Sequence, residues 1–343
     1  MKRILLTSTA LTMVAGIASA DVSVAGSFKL GFNDTSATTG DNNYGVYNDA
    51  GLTFAMSSVM DSGMTAGITV DLNQGAAATP VAPYANDTLN NGSDKYTLSL
   101  ASDGLNVTFG STEYSAKANF KAAGDMATDT WSNQNDSGGN VLRADVTLGG
   151  LAVSAAALVT PGAQASPNAV SISVGGSLGG ATYVIANEGS VMGISVATAM
   201  GGSTLTSAYT TDGTDTSTGV KIAYPMGAIT TTASYVMESA TATGDAWNVA
   251  AVYAAGGSTV TFKTDEATQN SVEGTMTMGA ATVSAGLADN LEDMYLAVSN
   301  PLGGGATIMA SYAIDGTGSG DAKDEVGAGD WQEGLTVELS FKF

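Results

Sequence analysis

Three basic side chains, Lys29, Lys95 and Arg143, stand in segments where apolar and polar residues alternate, and each falls on the polar phase. Between Lys95 and Arg143 runs Thr112–Asn140, "TEYSAKANFKAAGDMATDTWSNQNDSGGN", which carries Glu113, Lys117, Lys121, Asp125 and Asp129. The chain contains no His and no Cys. That removes His general bases, thiolate nucleophiles and Cys/His metal sites. The Ser, Asp and Glu that remain form no readable nucleophile–base set, so no enzyme activity is expected. What remains is electrostatic. If the stretch folds back toward the basic positions, its carboxylates face cations across a constriction, and the field between them sorts solutes by charge and dipole. The plainer reading of each lone charge is a solvated wall.

Such a wall needs strands, and a period of two dominates the chain. Val22, Val24, Phe28, Leu30 and Phe32 alternate with Ser23, Ala25, Ser27, Lys29 and Gly31, and the rhythm recurs at Leu105-Val107-Phe109, Leu142-Ala144-Val146 and Ile308-Ala310-Tyr312. These are strands with one apolar and one polar face. Glycine turns punctuate them at Gly63, Gly104, Gly150, Gly180, Gly202, Gly227, Gly257, Gly279 and Gly305. The opposite connections, such as Asn33–Asp49, Asn73–Asp94 and Asp315–Asp330, are polar and often longer. Short turns at one end and long loops at the other describe an all-β, transmembrane, antiparallel up-and-down β-barrel. Nine turns join eighteen strands, and a first strand at Asp21–Phe32 and a last at Leu335–Phe343 bring the count to twenty. Thr112–Asn140 is too long for an ordinary connection, and "SAKANFKAAGDMA" within it suits a short helical turn in a loop folded inward.

The first twenty residues read as a secretory signal: Lys2 and Arg3, then a small apolar run, then Ala18-Ser19-Ala20 as a cleavage site. Cleavage between Ala20 and Asp21 leaves residues 21–343 as one barrel domain. No stretch beyond the signal has eighteen consecutive apolar residues, so spanning helices are not expected. Eleven Lys and Arg against 32 Asp and Glu give a net charge of −21, which argues against nucleic acid as a partner. No cofactor is expected. Oxygen ligands in "DGTGSGDAKDE" (Asp315–Glu325) suit a loosely held Ca²⁺ at acidic loops, but the spacing matches no standard calcium loop and solvated acidity explains it more simply.

Several stretches resemble the alphaproteobacterial general-diffusion porins of the Rhodobacter type, a Gram-negative outer-membrane family. "DVSVAGSFKLGF" is similar to that family's first strand, and "LTFAMSSVMDSGMTAGITVDLN" to the second and third with their turn. "LNVTFGSTEYSAKANFKAAGDM" is similar to the fifth strand running into the third loop, which in that family folds inward. "YLAVSNPLGGGATIMASYAID" and "VELSFKF" are similar to the last strands. The resemblance implies a homotrimer in the cell outer membrane, contacts with outer-membrane lipid and lipopolysaccharide, and a water-filled pore for small hydrophilic solutes. It also implies sixteen strands, against twenty counted here. "YNDAGLTF" lacks the arginines of the family's basic wall, so a cation preference is expected. The candidate constriction is Lys29, Lys95, Arg143, Glu113, Lys117, Lys121, Asp125 and Asp129.

The expected function is passive diffusion of small hydrophilic solutes and ions. A solute-specific channel would need a binding track, and no aromatic ladder is legible on the polar phase. A barrel serving only as an adhesive surface anchor would need long outer loops, and those after Ala169 are short. The ending "GLTVELSFKF" reads as the strand that closes the barrel against Val22–Phe32, with Phe341 and Phe343 in an aromatic girdle. By resemblance, the terminal Phe is the signal read by the outer-membrane assembly machinery.

Overall fold

The computed structural model describes residues 20–34, 45–75, 95–132, 140–159, 170–240, 244–266, 270–288, 293–314 and 333–343. Residues 1–19, with nearly all of the signal segment, and the acidic segment 315–325 lie outside them, as do most of the long loops. Twenty antiparallel strands follow one another: β1 (Ala20–Asn33), β2 (Gly45–Val59), β3 (Thr65–Gly75), β4 (Lys95–Ser102), β5 (Leu105–Gly110), β6 (Val141–Leu148) and β7 (Leu151–Leu158). Then come β8 (Val170–Leu178), β9 (Ala181–Glu188), β10 (Val191–Met200), β11 (Ser203–Thr211), β12 (Thr216–Met226), β13 (Ile229–Glu238) and β14 (Ala246–Ala255). The last six are β15 (Ser258–Asp265), β16 (Asn270–Met278), β17 (Ala281–Ala288), β18 (Asp293–Gly303), β19 (Ala306–Ile314) and β20 (Gly334–Lys342). The one described helix, α1 (Ser115–Asn119), falls in the expected helical stretch.

Each strand pairs with its sequence neighbours, and β1 pairs with β20, so the sheet closes. The strand number is therefore twenty, as counted from the turns, and not the sixteen that the resemblance implied. Tight hairpins at one rim set the order. Gly149 and Gly150, both at positive φ (58° and 88°), link Leu148 to its partner Leu151. Two consecutive positive φ values make the turn whose twist matches that of the strands it joins, and Gly adopts them without steric cost.

Register carries one polar face around the whole barrel. Lys29 lies opposite Asp49, Asp71 opposite Lys95, and Arg143 and Asp145 opposite Ala156 and Ser154. Followed pair by pair, every charged residue within the twenty strands falls on this face. The other face carries exposed apolar side chains such as Ile194, Val220, Ile222, Leu296 and Ile308. A charge there at a bilayer midplane would cost about 2–4 kcal/mol.

The seam is shorter than the sequence implies. Asn33 to Ser27 pair with Thr336 to Lys342, and Gly26 and Phe343 exchange backbone hydrogen bonds of 2.9 and 3.0 Å. Among the described residues, the start of β1 pairs only with β2. On the polar face Lys29 Nζ lies 3.9 Å from Glu338 Oε1, and Asn33 Nδ2 donates to Thr336 Oγ1 at 2.8 Å. On the apolar face Phe341 stands opposite Phe28. The Phe343 ring lies over Gly26, where a Cβ would meet ring carbon Cζ at 2.2 Å. Because the ring is 75% exposed, a side chain at position 26 pushes it aside into open space and does not overpack a core. In the micelle-refolded barrel, NMR should show cross-relaxation between the Gly26 Hα protons and the Phe343 ring; its absence would contradict the seating of Phe343 on Gly26.

Candidate functional site

Between β5 and β6 the chain leaves the wall, and residues 111–132 form an arm that packs on the polar face from β7 to β13. Its outward leg begins at α1. Ser154 Oγ donates to Ser115 Oγ (2.8 Å), Ala116 N–H donates to Ser171 Oγ (2.8 Å), and Asn119 Nδ2 donates to Ser173 Oγ (3.0 Å). The tip reaches β13, where Glu238 Oε1 accepts from the Ala127 N–H (2.9 Å) and Oε2 from Ser217 Oγ (2.5 Å). The return leg crosses β12, β11 and β9. Thr128 N–H donates to Ser217 Oγ (3.0 Å), the Thr128 and Thr210 hydroxyls lie 2.6 Å apart, and Ser132 N–H donates to Glu188 Oε1 (2.8 Å).

Apolar packing fills the space between the legs. Ala116, Phe120, Ala123, Met126 and Trp131 are buried against Ala186, Ala208 and Val236, with the Phe120 and Trp131 rings 5.3 Å apart. The wall is cut to fit them. At Gly193 a Cβ would stand 2.7 Å from the Phe120 ring, and at Gly219 it would stand 2.4 Å from the Ala123 carbonyl oxygen. Small side chains on the polar phase of β7–β12 therefore form a bed for the arm. Sequence reasoning passed over Ser154, Ser171, Ser173, Gly193, Thr210, Ser217 and Gly219, together with Glu188 and Glu238. The available signal was a run of polar-phase positions with scarcely a large side chain.

The sequence-derived constriction residues divide into groups. Arg143 reaches the arm through backbone: Nη1 donates to the Glu113 carbonyl (3.2 Å) while Nε donates to Asp145 Oδ2 (3.0 Å). The Glu113 side chain is half-buried, and Lys117, Lys121 and Asp125 are exposed. Lys29 has Glu338 as its ion-pair partner at the seam, and Lys95 stands across from Asp71. The arm runs toward β13, so its carboxylates are not brought to Lys29 or Lys95. Asp129 and Lys117 do come together near Asp125 and Glu238. Among the described residues, no group of three or more Asp or Glu is placed to hold a metal ion, and no helix is long and apolar enough to cross a membrane.

A sequence model of the Gram-negative porin family matches residues 7–315. The chain belongs to the Gram-negative porins. The resemblance read from its strands thus holds at the level of the family, and the barrel is an outer-membrane channel for passive diffusion, a class that is not enzymatic. The apolar face meets lipid and the polar face lines the channel. Two solved structures it aligns with are engineered Rhodopseudomonas blastica porins. A variant with five substitutions is 14% identical, with 94% of this chain and 100% of that one covered and a TM-score of 0.43. A triple mutant gives the same identity and coverage and a TM-score of 0.45. Comparison with curated proteins gives no match.

Burial raises the Asp129 carboxyl to about 6; Lys117 pulls it down, while Asp125 and Glu238 add to the rise. The docked arm thus disfavours the charged form. Docking is fully supported below the ordinary carboxylate range and loses that contribution as pH rises through about 6. After correction for intrinsic chemistry, amide exchange across residues 115–131 should be slower at pH 5 than at pH 7.5. In Asp129→Asn this difference should vanish; its persistence would refute the assignment. Separately, Gly219→Val should lift the arm tip and increase proteolysis within residues 120–130, and unchanged protection would count against the bed described above.

Proposed function

We propose that this porin is a general-diffusion channel with a preference for cations, narrowed by the arm of residues 111–132. The observation that carries this reading is the arm's seat on the polar face, held by hydrogen bonds from β7 to β13 and by a buried apolar cluster. An arm docked so extensively leaves the passage to the rest of the wall, from β14 through β20 to β6, where the arm touches β6 only at its root. Carboxylates are frequent there: Asp49, Asp71, Asp145, Asp265, Glu273, Asp293 and Glu338, against Lys29, Lys95, Arg143, Lys263 and Lys342. Several of these cations have a carboxylate beside them. Lys29 is within ion-pair distance of Glu338, and Arg143 is bonded to Asp145. Positive potential is thereby offset within the wall, and the excess of acid favours cations.

The rest of the reading follows the resemblance. Residues 1–20 act as an export signal cleaved before Asp21, the barrel assembles as a homotrimer among outer-membrane lipid and lipopolysaccharide, and Phe343 serves the assembly machinery. No cofactor is required. The test is electrical. Purified protein in planar bilayers should give discrete single-channel steps, and under a KCl gradient the reversal potential should carry the sign of cation selectivity. Replacing residues 115–131 by a short Gly-Ser linker should raise the single-channel conductance. Anion selectivity would overturn the proposed preference, and unchanged conductance in the linker variant would overturn the arm's role as the constriction.

A further inference from the structure

On the turn-rim side of α1 lies a concavity of about 740 Å³ that takes in residues of both phases, such as Leu105 and Val153, and whose polar part is bounded by Asn119 on the arm and by Asn106, Arg143, Asp145, Ser154 and Ser173 on the wall. We propose that it is a subsite for small zwitterionic solutes, of the kind that bear an ammonium and a carboxylate a few bonds apart. The inference rests on the channel reading above and adds a solute class to it.

The central observation is a guanidinium held at two points. Arg143 Nε is bonded to Asp145 Oδ2 and Nη1 to the Glu113 carbonyl, so the plane of the group is set by the wall on one side and the arm on the other. Among the described residues, Nη2 of Arg143 and Oδ1 of Asp145 make no hydrogen bond. The two side chains are 20% and 31% exposed, which leaves both within reach of solute yet partly withdrawn from water. A fixed ion pair of this kind presents a positive and a negative edge next to each other. A zwitterion laid head to tail along it places its carboxylate on the guanidinium and its ammonium on the carboxylate. Charge-assisted bonds are the stronger ones, and two of opposite sense form here without net charge transfer into the wall.

The floor of the concavity leaves room for such a molecule. Ser154 stands opposite Asp145, Ala152 follows it toward the turn, and Ser173 and Gly175 stand opposite these two on β8. The amides of Asn106 and Asn119 line the rim and can accept from an ammonium. A sugar is the less suitable occupant. The one aromatic residue of the lining, Tyr183, pairs with Gly176 and lies on the apolar phase, so no ring is offered for stacking.

The experiment measures concentration-dependent reduction of ion current through the reconstituted full-length porin, with glycine as the probe and glycerol as an uncharged solute of similar size, both at pH 7. Glycine should give saturable reduction and glycerol only the linear effect of added solute. Asp145→Asn should weaken the glycine effect at least about tenfold, the loss of one charge-assisted bond. Glu273→Gln removes the same charge from β16 and should leave the glycine effect at its wild-type value. Asn106→Ala keeps both charged groups and should weaken it by a smaller factor, which guards against a folding defect in D145N. Equal effects of glycine and glycerol, or an unchanged response in D145N, would overturn the subsite while leaving the channel intact. Absence of conductance in the wild type would overturn the channel reading and the subsite with it.

Discussion

A strand placed in hydrocarbon must have every backbone N–H and C=O paired, because there is no water to take up an orphan. The pairing of β1 with β20 satisfies this requirement for the two strands that would otherwise be edges, and the rest of the molecule depends on it. Once the sheet is closed, the two-residue period of each strand acquires a global meaning. One phase must face lipid and the other must face the space enclosed. The seam is reinforced on both faces by different means. Lys29 with Glu338 and Asn33 with Thr336 join the strands on the polar side, whereas Phe343 covers Gly26 on the apolar side. A missing side chain at Gly26 is thus filled by a ring from the far end of the chain.

Closure of twenty strands also creates a problem, since the enclosed space is far too wide for wall side chains to fill. The arm answers it with few large side chains of its own. Phe120, Met126 and Trp131 supply the bulk, and the wall beneath them is mostly Ser, Thr, Ala and Gly, with Val191 and Val236 as the larger apolar exceptions. Hydroxyls serve well there because a Ser or Thr can both donate and accept, so an arm backbone that crosses the strands obliquely still finds partners. Two carboxylates, Glu188 and Glu238, accept backbone N–H groups at the return leg and at the tip. Asp129, half-buried beside them, has no comparable donor set among the described residues, and burial raises its carboxyl.

Much of the fold was legible because its signals are local. A glycine turn and an alternation of phase are each set by neighbours in the chain, and even the count of twenty followed from the turns once the first and last strands were added. The helical turn at Ser115–Asn119 was legible for the same reason. The site was harder. Arg143 and Glu113 do meet, but through the Glu113 carbonyl, and no pattern of side-chain charges announces a backbone acceptor. Ser171, Ser217 and Gly219 look like ordinary strand filler until the arm is laid across them.

By itself the sequence determined the strand phases, the rim that carries the tight turns, the acidic excess and the identity of the closing strands, all of which follow from residue type at a spacing of one or two. Only the tertiary structure decided where the arm goes. It runs over β7–β13, away from Lys29, which pairs with Glu338 at the seam, and away from Lys95, whose cross-strand neighbour in register is Asp71. The physical reason is that docking is a sum of many weak contacts between segments distant in sequence. Hydroxyl to amide, ring to glycine and carboxylate to N–H each depend on the curvature of the closed sheet, which no single stretch of chain contains.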